Sequence, residues 1–326
     1  MKLKFSTGIW VFGPAIERFA PQGYRPDEPI VKRIARAAKV EGLEGLEFHY
    51  PTEVNEDNVD EVKAALARHC LKAVGIPPVL SQEPQWKKGA LAALNEETRR
   101  KAVERCKAAA DIARKLGAEI LIIWPGREGF DYPFTTDYTK MWDNYVKSIK
   151  EIAEYAPDLK IAIEYKIEDP QAYLIQGSAG RALLVRLELG LENVGINVEY
   201  AHAKMAREHV PETIALIARY NALFHLHLND IFTGVDSDLI AGSVHLLEYA
   251  ELLYWLHEID YEGWMGLDLF PLDIDPAQAV QESIYNIKSL YATLEEIGWE
   301  NIRKVVAENS PIKAQKIIRR LLKKSL

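Results

Sequence analysis

The feature that most constrains this chain is an alternation. Apolar runs of strand length recur at 3–9, 43–49, 71–76, 119–124, 159–165, 194–200, 223–228 and 264–270, with amphipathic helical patterns between them. Nearly all of the runs are apolar throughout rather than at every second residue, the pattern of parallel strands covered on both faces. Between them, Ile30, Ile34, Ala37 and Ala38 share one helical stripe within 29–40. Asn95 is placed to cap a helix running through Val103, Cys106, Ala110 and Ala113 to Leu116, and Gly117 supplies its C-terminal stop. Further helical patterns lie at 142–155, 182–189, 212–220 and 244–257. Eight strand–helix units predict an α/β fold, a (β/α)8 TIM barrel over 1–274. Residues 275–326 are expected to form a short C-terminal helical extension, packed on the barrel or on a neighbouring subunit.

Ligand-type side chains gather where these runs end. Glu164 and Lys166 close the fifth, Glu199 and His202 the sixth, His227 the seventh and Asp268 the eighth. Strand side chains alternate, so Glu164 shares a face with Lys166, Asn197 with Glu199, and His225 with His227. In a barrel the carboxyl ends of the strands form the active face. Carboxylates crowded there without a cation repel one another, and mostly oxygen ligands with one imidazole per site suit Mg²⁺, Mn²⁺ or Co²⁺. Asp236 and Asp238 lie in a glycine-containing loop after the seventh run. With Glu199 and His202 they offer a second ligand set, so two divalent ions sharing one carboxylate are expected. His225 is expected to point inward one layer below His227 as a hydrogen-bonded core residue, and Arg127 to pair with Glu128 in a loop.

The remaining composition narrows the partners. The 326 residues carry a net charge of −8, which argues against nucleic acid or an anionic membrane surface as partner. The basic stretch 316–324 reads as an amphipathic helix that is solvated or meets another subunit. Cys70 and Cys106 have no metal or redox spacing and read as reduced thiols of a cytoplasmic protein. The first residues lack a signal-peptide pattern, and no run is long enough to span a bilayer.

Several short motifs, taken in order, carry a family resemblance. Phe48-His49, Trp124-Pro-Gly-Arg-Glu-Gly129, Glu164-Tyr-Lys166, Glu199-x-x-His202, Asn229, Asp236-x-Asp238 and Asp268 follow one another as in the xylose isomerase-like sugar isomerases, which the chain resembles over roughly residues 5–300. The resemblance implies that Glu164, Glu199, His227 and Asp268 hold a structural metal. It implies that Glu199, His202, Asp236 and Asp238 hold a catalytic one. Lys166 would hydrogen-bond the sugar's O1, Trp10, Trp124 and Asn229 would belong to the substrate site, and His49 would assist ring opening. It also implies a homodimer or homotetramer acting on a small sugar.

Three departures bear on the activity. His227 stands where xylose isomerases have Asp and where rhamnose isomerases and ketose 3-epimerases have His. Tyr50-Pro51-Thr52 replaces the acidic residues after the histidine, so His49 is expected to lack a carboxylate partner. Phe270 stands where xylose isomerases have Lys. The chemistry that fits is aldose–ketose isomerisation by metal-assisted hydride shift, on xylose, rhamnose, apiose or a related aldose. The rival on the same barrel is a ketose 3-epimerase or inosose dehydratase. A metal-dependent endonuclease would call for more histidines and a basic groove, and the intact ligand set argues against a non-catalytic sugar-binding barrel.

Overall fold

Runs of Val, Ile and Leu hold extended backbone most readily where neighbours cover both faces, and a closed ring of strands inside a ring of helices gives that cover. A computed structural model of the chain describes residues 1–324. The strands are β1 (Phe5–Gly8), β2 (Leu43–Glu47), β3 (Lys72–Ala73 continuing as Gly75–Ile76), β4 (Ile120–Ile123), β5 (Lys160–Glu164), β6 (Val194–Glu199), β7 (Leu223–Leu228) and β8 (Met265–Leu267). Every pairing among them is parallel. β1 lies between β8 and β2. The first piece of β3 pairs with β2 and the second with β4, which closes the barrel. Val74, at the break, donates its N–H to Leu46 O at 2.8 Å.

Most of the strands end one to three residues before their apolar runs, where the last residues turn to other tasks. Glu199 ends β6 and at once caps the short helix Tyr200–Met205, its carboxylate accepting from His202 N. The helices follow the expected chemistry. Asn95 accepts from Thr98 N at the start of Glu96–Leu116, and Gly117 ends that helix at φ 76°, a conformation that favours glycine. Asp137 caps Tyr138–Tyr155 in the same way. A small antiparallel pair, Gly129–Phe130 with Tyr173–Leu174, joins the loops after β4 and β5.

The barrel interior is layered. Val74, Ile120, Ile122 and Ala162 form an apolar floor, with Phe224 and Trp264 packed against it. The second, larger core lies between strands and helices. Toward the carboxyl ends the inward positions turn polar: Ser6, Glu47, Asn197 and His225 are fully buried there. Register aligns the next row, with His227 opposite both Glu199 on β6 and Gly266 on β8.

Among the described residues, the chain after β8 forms three helices. Asp275 caps the helix Pro276–Ile297, which runs beside the first helix, Ile30–Ala37. Gln281 Oε1 accepts from Glu41 N at 2.7 Å, and Arg36 pairs with Asp275 at 3.0 Å. This helix therefore completes the helical ring, and the added elements are Trp299–Ala307 and Pro311–Lys324. They fold back on the barrel, burying Ile302 and Leu321, and Arg303 pairs with Glu258 at 2.9 Å. Among the described residues no helix is long and apolar enough to cross a membrane.

Candidate metal centre

The ends of β5 to β8 bring two groups of ligand atoms together. In the first, Glu164, His227 and Asp268 each place one atom within 4.8 Å of the others; in the second, Glu199, His202 and Asp236 do the same. His227 Nδ1 stands 3.0 Å from Glu164 Oε2 and 3.3 Å from Asp268 Oδ2. His202 Nδ1 stands 3.3 Å from Glu199 Oε2, and its Nε2 3.2 Å from Asp236 Oδ2. The groups adjoin, because Glu164 Oε1 lies 3.4 Å from His202 Nδ1. Glu199, the residue expected to be shared, sits in the second group. Asp238 lies alongside, its Oδ1 accepting from Asn229 Nδ2 at 2.6 Å. The other hydrogen of that amide goes to Glu199 Oε1, so Asn229 ties the two carboxylates together.

These donors fit a divalent cation. His202 Nδ1, His227 Nδ1 and Asp236 Oδ1 are buried and make no hydrogen bond to any described residue, although carboxylates face both imidazole nitrogens. A buried polar atom without a partner costs about 1–3 kcal/mol, and ligation by one ion per group would satisfy all three. The charges point the same way. Burial raises the Glu199 carboxyl, the nearby Asp236 and Glu164 add to it against the pull of His202, and it reaches about 7. Burial alone would depress His202, but Glu199 and Asp236 hold it up at about 9. Asp238 is driven well above its ordinary value by burial and by Asp236, Asp268 and Glu199. A cluster that must hold extra protons to exist is one that a cation relieves.

Around this pair stand the other expected residues. Lys166 is almost fully buried, its Nζ 2.8 Å from Asp236 and from Asp169. Burial would lower it, and the two aspartates more than reverse that, so it stays charged. It also lies 5.6 Å from the centre of the Trp124 ring. Trp10 is half-buried; its Nε1 donates to Asp268 Oδ1 at 2.7 Å, and its ring lies 4.1 Å from that of His49. His49 does have a carboxylate partner, contrary to expectation. Glu53 Oε2 lies 3.5 Å from Nδ1 and accepts from His49 N at 2.9 Å. The turn after β2 brings position 53 back over position 49, a contact that scanning the three following residues does not reveal. Glu128 does not pair with Arg127. Its buried carboxylate accepts from the backbone N–H groups of Ala90, Leu91 and Ala92, while Arg127 Nε donates to Ser81 O.

One buried residue, Glu47, was absent from the sequence reading of the site, and Asn197 was read only as sharing a face with Glu199. Glu47 lies under the first group and contacts both His225 and His227. Asn197 donates from Nδ2 to Glu164 Oε2 at 2.7 Å. For Glu47 a signal existed: it precedes His49 by two residues and so shares its inward face. His225 sits as expected, one layer below His227 and hydrogen-bonded.

Comparison with known proteins agrees with this architecture. The family model described as xylose isomerase-like TIM barrel matches residues 34–290, and the chain belongs to that family. A xylose isomerase of Thermus thermophilus is 27% identical over 315 residues, covering 90% of this chain and 79% of that one. A D-tagatose 3-epimerase-like protein shares the fold at a TM-score of 0.71 and 18% identity, over 91% of this chain and 100% of that chain. An L-ribulose 3-epimerase structure gives a TM-score of 0.71 at 14% identity, over 95% and 100% of the two chains.

Proposed function

We propose that the protein is a divalent-metal-dependent aldose–ketose isomerase acting on a small sugar by hydride shift. The observation that carries this reading is the pair of adjoining ligand groups with the buried ammonium of Lys166 beside one of them. Glu164, Glu199, His227 and Asp268 would hold one ion, and Glu199, His202, Asp236 and Asp238 the other, with Mn²⁺, Mg²⁺ or Co²⁺ suiting the donors. When bound, such ions act as Lewis acids toward the sugar's oxygens.

The chain's own residues divide the remaining work. Asn229 orients the carboxylates of Glu199 and Asp238. Trp10 and Trp124 wall the substrate and exclude water. His49, its Nδ1 side toward Glu53, presents Nε2 for the proton that moves when the sugar ring opens. Lys166 donates a hydrogen bond to O1. As hydrogen leaves C2 with its electron pair and bonds to C1, negative charge grows on O1, and a fixed ammonium in a water-poor site stabilises it. The O2 proton is lost and O1 gains one, so aldose and ketose differ by no net atoms. The relatedness to a xylose isomerase supports this class, and the kinship of fold with ketose 3-epimerases marks the alternative. A homodimer or homotetramer in the cytoplasm, with Cys70 and Cys106 reduced, completes the reading.

A panel of aldoses with Mn²⁺, Mg²⁺ or Co²⁺ should yield a ketose from at least one of them. Run in D₂O under single-turnover conditions, the product should carry little deuterium at C1. Extensive deuterium, or inversion at C3 of a ketose without isomerisation, would replace the hydride shift with the epimerase's acid–base route.

A further inference from the structure

We propose that Glu47 is the positioning residue of the first ligand group: it holds the Nε2 proton of His227 and so leaves Nδ1 as the ring's ligand atom. This rests on the reading that Glu164, His227 and Asp268 hold an ion. Glu47 is fully buried, and its two oxygens are divided between neighbours. Oε1 accepts from Ser6 Oγ at 2.8 Å and lies 3.1 Å from His225 Nε2; Oε2 lies 2.8 Å from His227 Nε2. An ionised carboxylate only accepts, so each imidazole must present a proton to it. A proton fixed on Nε2 leaves Nδ1 with its lone pair, and Nδ1 is the atom that faces Glu164 and Asp268. Metal-binding histidines are commonly oriented in this way through their other nitrogen.

The barrel is shaped to admit this carboxylate. A Cβ on Gly266 would stand 2.7 Å from Glu47 Oε1, 2.9 Å from His227 Cδ2 and 3.0 Å from His225 Nε2. A Cβ on Gly75 would stand 3.5 Å from Glu47 Oε2 and 2.8 Å from Ile122 Cδ1. The absent side chain at Gly266, directly opposite His227 in register, therefore leaves the space in which Glu47 meets both rings.

The test uses the full-length protein with ¹⁵N-histidine. In the Mg²⁺-loaded form, His227 should show a slowly exchanging, downfield proton on Nε2 and none on Nδ1, and the Nε2 proton should persist without metal. Glu47→Ala, which removes the acceptor, should abolish that signal. It should also weaken one of two classes of Mn²⁺ site by about 10–100-fold, leaving the other unchanged. A proton on Nδ1 in the loaded form, or no protected Nε2 proton in either form, would overturn the proposal. So would unaltered Mn²⁺ affinity in a folded Glu47→Ala protein. If that variant does not fold, the wild-type spectra alone decide. If Mg²⁺ fails to bind while the Nε2 proton is protected, the functional reading falls and the Glu47–His227 bond stands.

Discussion

Protons and metal should compete for the second ligand group, with a minimum size set by two residues. Without metal, the Glu199 carboxyl sits at about 7 and the His202 imidazole at about 9, the first raised chiefly by burial and the second by its carboxylate neighbours. Ligation requires Glu199 ionised and His202 neutral. At pH 9 Glu199 is free and His202 about half protonated, so protons weaken binding by roughly twofold. At pH 7 Glu199 is about half protonated and His202 about 100:1 protonated, a weakening of roughly 200-fold. From these two residues alone, affinity for Mn²⁺ should rise about 100-fold from pH 7 to pH 9, with about 1.5 protons released per ion at pH 7 and about 0.5 at pH 9, and the raised carboxyl of Asp238 can only add to that release. Stability follows with a definite sign. The raised His202 stabilises the metal-free fold below its unfolded value of 6.5, and this contribution is lost as pH climbs through about 9. The raised Glu199 adds a burial penalty as pH passes from 4.5 to about 7. The gap in melting temperature between loaded and metal-free protein should widen with pH. Calorimetric titrations with Mn²⁺ in buffers of different ionisation enthalpy count the protons directly. An affinity flat between pH 7 and pH 9, with no proton release, would refute the assignment of His202 and Glu199 as ligands.

Two further outcomes follow from other contacts. Lys166→Met should remove isomerisation while both classes of Mn²⁺ site stay filled, because Lys166 touches the metal groups only through Asp236; turnover within tenfold of wild type would show that another group stabilises O1. Glu128→Gln puts an amide N–H against one of three backbone N–H donors, costing about 1–3 kcal/mol, or roughly 2–5 °C of melting temperature in a chain of this size; Mn²⁺ affinity should not change, and a shift in it would tie that loop to the metal centre.

The alternation of periods was enough to specify eight strands, their parallel direction and the face on which chemistry gathers. Uninterrupted apolar runs are stable only when covered on both sides, and parallel neighbours require the helical crossovers seen between them. Side-chain alternation likewise made Glu164, Glu199, His227 and Asp268 legible as inward residues at strand ends. Contacts made by chain turning back on itself or by facing strands were decided only in three dimensions. Glu53 reaches His49 because the turn after β2 folds over, and Glu128 reaches the 90–92 backbone across a loop. Glu47 is 178 residues from His225 and meets it only because β8 has a glycine where a side chain would fill the barrel. Alternation states which way a residue points; how the ring staggers its strands, and where it leaves room, decides what the residue meets.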